Sequence, residues 1–380
     1  MKKTSVLITE GMYKHSLGIV RALGKAGYQI GVVGNQWEKG IAGYSRYCSK
    51  YYRFKNFSSE KDYIEQLLLT IKSEKYAVVI PIGFPILEWV SRHRNEIEKY
   101  SKLVLPDHKL LGLLSNKRTS QELARKHSIP VPGTWYPVNE KELEGIMPVL
   151  HYPVVIKAVD ELGYNQVEYA KNEEELRTAF LRPLLENKPP PLVQEYLTGK
   201  ACGYFGFFDQ GVCLQSFVHQ RIREYPPTGG SSSCAVSIQS DEILHYGKKL
   251  LSELKYHGVA MVEFKYNSNG KPMMLEVNPK FWGSFDLSLA CGINFPDLVA
   301  KTALNEKCEA NKAYKSGHVF SWFFDTDWRN ARAQNKVFSY FLGLFKMNTS
   351  TNFWLTDPVP SGILVFRFLV EYLNPPIKNV

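Results

Sequence analysis

Apolar positions along the first hundred residues switch repeatedly between two periods. Short aliphatic runs at Ser5 to Thr9, Gln29 to Val33, Ala77 to Ile82 and Leu103 to Leu105 read as strands. Between them apolar residues recur every three or four positions, which predicts helices over Ser16 to Gly27, Lys61 to Lys72 and Pro85 to Glu98. Strand and helix in alternation imply a parallel sheet with helices on its faces, because a parallel crossover must carry the chain back across the sheet. Short helices follow between Pro106 and Pro132, with Ser115 as the expected N-cap of the segment holding Lys117, and Pro130, Pro132 and Gly133 mark a boundary.

Beyond that boundary the pattern changes. Strands are predicted at Val154 to Val159, Gln166 to Ala170, Leu192 to Leu197, Tyr204 to Phe208 and Val212 to His219, with a helix near Glu173 to Leu184. A loop is expected from Gln220 to Ser233, then a helix from Asp241 to Tyr256 and strands at Val259 to Tyr266 and Pro272 to Asn278. Runs of strands interrupted by single helices indicate α+β architecture behind the first α/β unit, and no internal repeat is visible. The expected domains are 1–114, 115–198, 199–310 and an aromatic-rich extension at 311–380.

Composition narrows the function. With 380 residues, 44% hydrophobic and 22% charged, the chain can bury a sizeable core, and its 27 Gly and 21 Pro show no period. The net charge of +10 is concentrated in residues 1–120, which hold 20 basic and 10 acidic side chains. Those lysines are interspersed with acids and aromatics, and no helix-turn-helix, zinc finger or aromatic platform accompanies them, so nucleic acid is not expected as a partner. The apolar run at the start stops at Thr9-Glu10, and Tyr76 to Val90 is broken by Pro81, Gly83 and Pro85, so neither a secretion signal nor a membrane span is expected. The run Gly362 to Tyr372 contains Arg367 and either packs against the rest of the chain or touches a membrane surface. Six cysteines (48, 202, 213, 234, 291, 308) show no Cys-x-x-Cys and no His at ligand spacing, which reads as a reduced, cytoplasmic protein. Only Gly11 and Gly18 follow the first strand, so a dinucleotide-binding fingerprint is absent.

The informative chemistry lies in the last predicted hairpin. Asn269-Gly270 suits a two-residue type I′ turn, and that register sets Glu263 directly opposite Glu276. Like charges so placed repel and call for something positive, or for solvent if the face is exposed, and a loop at Ser268-Asn269 would instead misalign them. Asn278, two residues on, shares the face of Glu276, and two carboxylates with an amide oxygen suit a hard divalent cation such as Mg²⁺. Lys157 lies inside the apolar strand Val154 to Val159, where its ammonium requires an anion or a solvated cleft. Arg221 and Arg223 share a face if their strand continues, and such a fork suits a carboxylate or a developing acyl phosphate, unless one of them pairs with Glu224 or Asp160. The stretch Gly229 to Ser233 reads as either a closing loop or an ordinary surface loop.

The order Lys117, Lys157, Glu195, Glu263, then Glu276-Val277-Asn278-Pro279-Lys280, resembles the ATP-grasp superfamily of carboxylate-amine ligases, among which the large chain of carbamoyl phosphate synthase carries the same ATP-binding fold. The resemblance spans about residues 1–300. It implies a Rossmann-like N-terminal domain, a small lid and a catalytic domain built on an antiparallel sheet, with ATP between the last two. Carried over by position, Lys117 and Lys157 contact phosphates, Glu195, Tyr196 and Leu197 hold the adenine, and Glu263, Glu276 and Asn278 bind Mg²⁺ or Mn²⁺. Arg221, Arg223 and Lys280 are then the groups that neutralise the reacting carboxylate. Two features depart from the family: Asp160 to Asn165 carries one Gly and two acids where a Gly- and Ser-rich loop is frequent, and Lys280 replaces the frequent Arg, keeping the charge without the fork.

What the resemblance implies is an ATP-dependent ligase acting on a small-molecule carboxylate and an amine, with a homodimer as the expected assembly. A carboxylase-like activity on bicarbonate and a non-catalytic nucleotide-binding module are the rivals. The first lacks a second homologous half, a glutaminase or a biotin carrier in this sequence.

Overall fold

A computed structural model describes residues 4–160, 167–227 and 229–374. It contains three sheets. The first is parallel, in the order β3-β2-β1-β4, from β1 (Ser5–Ile8), β2 (Gln29–Asn35), β3 (Cys48–Phe54) and β4 (Val78–Ile80). Val6, Leu7 and Ile8 of the central strand are fully buried, as a strand covered by helices on both faces requires. β3 was not evident from the sequence because it is an edge strand whose Lys50 and Arg53 face solvent.

Two expectations fail here. Leu103–Leu105 forms no strand; pairing is limited to a bridge between Lys102 and Val78 before Pro106 removes the next donor. The helix expected from Pro85 to Glu98 is two pieces, Ile86–Arg92 and Arg94–Ile97, joined at His93.

The second sheet is small and antiparallel, ordered β5-β8-β6-β7 from β5 (Thr134–Trp135), β6 (Val154–Lys157), β7 (Val167–Ala170) and β8 (Leu192–Glu195). The helix Glu173–Leu185 packs on it through Leu176 and Phe180. The third sheet has seven strands in the order β13-β12-β9-β10-β11-β14-β15. They are β9 (Ala201–Asp209), β10 (Val212–Tyr225), β11 (Ser231–Ser237), β12 (Gly258–Tyr266), β13 (Pro272–Asn278), β14 (Val319–Ser321) and β15 (Thr349–Thr351). The loop expected from Gln220 is instead the far half of β10, paired with β11 up to Tyr225.

The two faces of this large sheet are both buried. One presents Phe205, Phe207, Phe217 and Met261 to a cluster that includes Val6, Ile8 and Leu23 of the N-terminal domain. The other lies under the helix Asp241–Glu253 through Tyr204, Phe208, Val262 and Leu250. Each buried Phe contributes about 1.5–3 kcal/mol, so this double cover fixes the sheet firmly. On β12 the first face runs Met261, Glu263, Lys265, and it turns from apolar to charged at Glu263. That boundary is where the site forms.

Candidate functional site

Glu263 and Glu276 are directly opposed across β12 and β13, and Met261 faces Asn278. The local route to this pairing differs from the expected two-residue turn. Asn267 and Lys271 close a three-residue loop, with Gly270 at φ +73° and the Asn267 Oδ1 accepting from the amides of Asn269 and Lys271 at 3.0 and 2.9 Å. That loop displaces the register by one residue, so Phe264 faces Met274. A bulge between Glu263 and Phe264 then restores it, with Leu275 as the extra residue on β13. The Leu275 carbonyl accepts from the Nε2 of buried Gln121 at 2.9 Å, so a neighbouring helix holds the bulge that opposes the two acids.

That helix also delivers the first cation. It spans Lys117–Lys126 and is capped by Asn116, whose side chain accepts from the amides of Arg118 and Thr119 at 3.0 and 3.2 Å. The expected cap, Ser115, ends the preceding helix and donates to the Leu111 carbonyl at 2.7 Å. Lys117 Nζ lies 3.3 Å from Glu276 Oε2, and its backbone amide donates to Val159 O at 2.8 Å, joining the helix to the small sheet. Arg221, from β10, binds Glu263 through Nη2 and lies 3.4 Å from Glu224 Oε1. Asn278 Nδ2 donates to Glu276 Oε1 at 3.2 Å. Lys157, at the end of β6, is buried.

The charges set one another's ionisation. Burial would raise the Glu276 carboxyl, but Lys117 and Lys157 outweigh it, aided by Asn278, and hold it at about 2. Burial raises its partner Glu263 and the nearby Glu276 charge adds to that, against the pull of Arg221. Lys157 is pushed below its ordinary range by burial and by Lys117, with Glu276 opposing. Three carboxylates, Glu263, Glu276 and Glu224, face four cations, Lys117, Lys157, Arg221 and Lys265, so the cluster carries surplus positive charge. A polyanion is the ligand that this surplus suits.

Glu195, Tyr196 and Leu197 leave β8 at the same junction. Glu195 Oε2 accepts from the Gly133 amide at 3.1 Å, Tyr196 stands over Lys265 Nζ at 5.1 Å and edge-on to Tyr169 at 5.6 Å, and Leu197 is buried. The expected phosphate loop is not placed: Glu161 to Asn165 lie outside the described residues. Lys280 Nζ lies 5.0 Å from the ring of Phe84, which follows the parallel sheet.

Arg223 does not join Arg221. A register shift between them turns Arg223 away, and its guanidinium binds Asp327 through Nε at 2.8 Å and Nη2 at 2.5 Å. The fork expected of the two arginines is therefore not formed. His219 is buried, stacked on Phe205 at 4.6 Å and 3.2 Å from Ser284 Oγ, and burial lowers it to about 3, leaving a neutral ring.

Sequence reasoning missed Glu10. It is buried at the end of β1, and Oε2 accepts from Thr9 Oγ1 at 2.8 Å and from the amides of Ile82 and Gly83 at 3.2 and 3.0 Å. Burial raises it to about 7 against those hydrogen bonds and the charge of Lys280. The available signal was a carboxylate directly after an apolar strand, at the C-terminal edge of a parallel sheet where such folds bind ligands.

Among the described residues no three His, Cys, Asp or Glu side chains gather as a closed metal centre. The donors at the hairpin are hard oxygens, and two carboxylates plus an amide fit a Mg²⁺-class ion that completes its shell with water and phosphate. The residues present therefore fit such an ion bound jointly with a nucleotide.

Residues 188–324 match a family described as ATP-grasp in the biosynthetic pathway with Ter operon. A D-aspartate ligase from Enterococcus faecium (strain Aus0004) is 24% identical over 258 residues, which is 62% of this chain and 60% of that protein. The chain thus spans about three-fifths of that relative's length. An L-amino acid ligase from Bacillus licheniformis superposes with a TM-score of 0.64 at 18% identity, covering 80% of this chain and 75% of that one. The biotin carboxylase domain of Hydrogenobacter thermophilus 2-oxoglutarate carboxylase, a dimer in complex with MgADP, ADP and bicarbonate, superposes at 0.67 with 16% identity, covering 84% and 74%.

Proposed function

We propose, from the premise that this chain has the ATP-grasp fold, that it uses ATP to activate a substrate carboxylate as an acyl phosphate and joins it to an amine. The observation that carries this reading is the opposed pair Glu263 and Glu276 with Asn278 beside it, bracketed by Lys117, Lys157 and Arg221. Glu263, Glu276 and Asn278 hold Mg²⁺, or Mn²⁺ in its place. When bound, the ion neutralises charge on the transferring phosphates.

Lys117 and Lys157 hold the phosphates, and Glu195, Tyr196 and Leu197 line the adenine end. A carboxylate oxygen of the substrate bonds to the γ-phosphorus while the bond to the β-γ bridging oxygen breaks and ADP leaves. The amine nitrogen then bonds to the acyl carbon, phosphate leaves, and the ammonium proton passes to a base. Positioning and charge neutralisation dominate such transfers, which matches a site rich in Lys and Arg. Arg221 and Lys280 neutralise the carboxylate and the acyl phosphate. Arg223 is a positioning residue that anchors the β10 end of Arg221 to Asp327. Glu10 is assigned to holding the amine near Lys280.

The domain limits proposed remain 1–114, 115–198, 199–310 and 311–380, with a homodimer, as the 2-oxoglutarate carboxylase domain forms, and a cytoplasmic setting. Free, buried Cys202 and Cys234, both raised to about 12 by burial, suit a reducing compartment. No helix among the described residues is long and apolar enough to cross a membrane.

The test is ADP release with panels of acids and amines that begin with D-aspartate, L-amino acids and bicarbonate, the compounds named for the relatives. Turnover that needs both an acid and an amine and is lost in Glu276→Gln supports the ligase. Turnover on bicarbonate alone, or ATP binding with no turnover, overturns it.

A further inference from the structure

The C-terminal extension carries an apolar face that stands exposed among the described residues. In the helix Val337–Gly343 and the turn after it, Phe338, Phe341, Leu342 and Phe345 recur at three- and four-residue spacing and all are exposed, Phe345 by 75%. The helix Pro358–Leu373 exposes Val359, Phe366, Val370 and Leu373, at steps of seven, four and three residues, along one side. Its inner side is satisfied: Ser361 and Leu364 are buried and Phe368 packs on Trp328 at 5.3 Å. Phe323 touches both Phe341 and Phe368, each at 5.8 Å between ring centroids, which sets the two helices side by side. Scattered exposed apolar residues are ordinary, but two adjacent helical stripes of Phe and Leu form a patch that calls for an occupant.

The charges on this face choose among occupants. Lys336, Lys346 and Arg367 are exposed around the stripes. The acids of the same segment are withdrawn: Asp357 is fully buried on Arg21 and Ser45, and Glu371 binds Arg329 at 2.7 and 2.9 Å. Among the described residues the face is thus apolar and cationic, and its one partly exposed acid, Glu371, is already paired with Arg329. A two-fold contact with a second copy would set these cations against their own images. The longer helix has 16 residues, short of a span, with Arg367 in its middle.

We propose that these two helices lie in the plane of an anionic membrane surface, with the Phe and Leu side chains at the acyl boundary and Lys336, Lys346 and Arg367 among the headgroups. The proposal is independent of the ligase reading, since it concerns a different face.

Co-sedimentation of the full chain with vesicles of phosphatidylcholine plus phosphatidylglycerol, against phosphatidylcholine alone, tests it. Binding is expected on the anionic vesicles, weakening as salt rises. The double variant Phe345→Ser, Phe366→Ser should lose at least about tenfold in partitioning, and each of Lys336→Glu and Lys346→Glu at least about fivefold. Nucleotide binding and thermal midpoint should not move, and Leu69→Ser, exposed on another surface, should bind as the parent does. Equal binding to both lipids, or none, overturns the proposal. So does a dimer in sedimentation equilibrium that the double serine variant disperses, because that gives the face to a second copy.

Discussion

Arg221 and Arg223 leave one strand two residues apart and end in different electrostatic settings. Arg223 meets Asp327, which is fully buried and whose oxygens also accept from Ser233 Oγ at 3.0 Å and Ser321 Oγ at 2.7 Å. Asp357 is similar, accepting from Arg21 Nε and Ser45 Oγ at 2.8 Å and from the Arg46 amide at 2.9 Å. In both, the carboxylate is surrounded by committed donors and nothing is left to bind. Arg221 meets Glu263 in a cluster whose three acids, Glu263, Glu276 and Glu224, retain 15%, 22% and 24% side-chain exposure and are outnumbered by Lys117, Lys157, Arg221 and Lys265. A closed pair serves architecture, because any new partner must displace a buried donor at high cost. An open, unbalanced cluster serves chemistry, because ligand charge completes it.

The sharpest way to break this comparison is to remove the acid of each kind. Asp327→Ala strands the Arg223 charge and two hydroxyls, and urea unfolding should show a loss of about 3–5 kcal/mol. A loss below about 1 kcal/mol would remove the distinction between the two settings. Glu276→Gln should instead lower ADP release by about a hundredfold to a thousandfold, the range for a preorganised charge at a transferring group. Its unfolding loss at pH 7 should vanish as the pH falls through 2, which the Asp327→Ala loss is not required to do.

The same contrast explains what the sequence discloses. Alternation and helical period read out β1, β2, β9, β12 and β13 because each buries a regular face, and the Glu263–Glu276 pairing followed from them. It followed through two offsetting errors, the three-residue loop and the Leu275 bulge, and neither leaves a mark in hydrophobic pattern. The far half of β10 has the composition of a loop, because Arg221, Arg223 and Glu224 look like solvent-facing residues until their partners are known. Those partners lie 42 and 104 residues away for the two arginines. Burial of a charge depends on such distant answers, and local composition does not contain them. Glu10 was missed for the same reason: its donors include the amides of Ile82 and Gly83, brought beside it only by the parallel sheet.

Glu10 sharpens the comparison through pH. Its carboxyl is raised from 4.5 to about 7, so the fold favours its neutral form. A group raised on folding leaves stability intact below the unfolded value and withdraws it as the pH climbs through the folded one. Glu10→Gln, which cannot ionise, should therefore match the parent near pH 4 and exceed it by up to roughly 3 kcal/mol at pH 8. Glu276 has the opposite sign: held at about 2, it contributes stability above 4.5 that is lost as the pH falls through 2. Thermal midpoints of the parent and Glu10→Gln across this range separate the two, and a gain that is constant with pH would assign the effect to packing instead of charge.

The smallest effect concerns how an open cluster is aimed. Lys117 is the first residue of its helix, and its ammonium is held where it is because Asn116 accepts from the amides of Arg118 and Thr119. An uncapped first turn frays, which costs stability and lets the residue at its tip wander. Asn116→Ala should cost about 1 kcal/mol in urea unfolding and weaken ATP binding about fivefold, while Asn116→Asp, which keeps a capping oxygen, restores both. Ser115→Ala should leave nucleotide affinity unchanged, since its hydroxyl serves the Leu111 carbonyl of the preceding helix. If Asn116→Ala loses stability but keeps full ATP affinity, the cap is architecture like Asp327, and the placement of Lys117 depends on contacts such as the 3.3 Å one with Glu276 instead of on the cap.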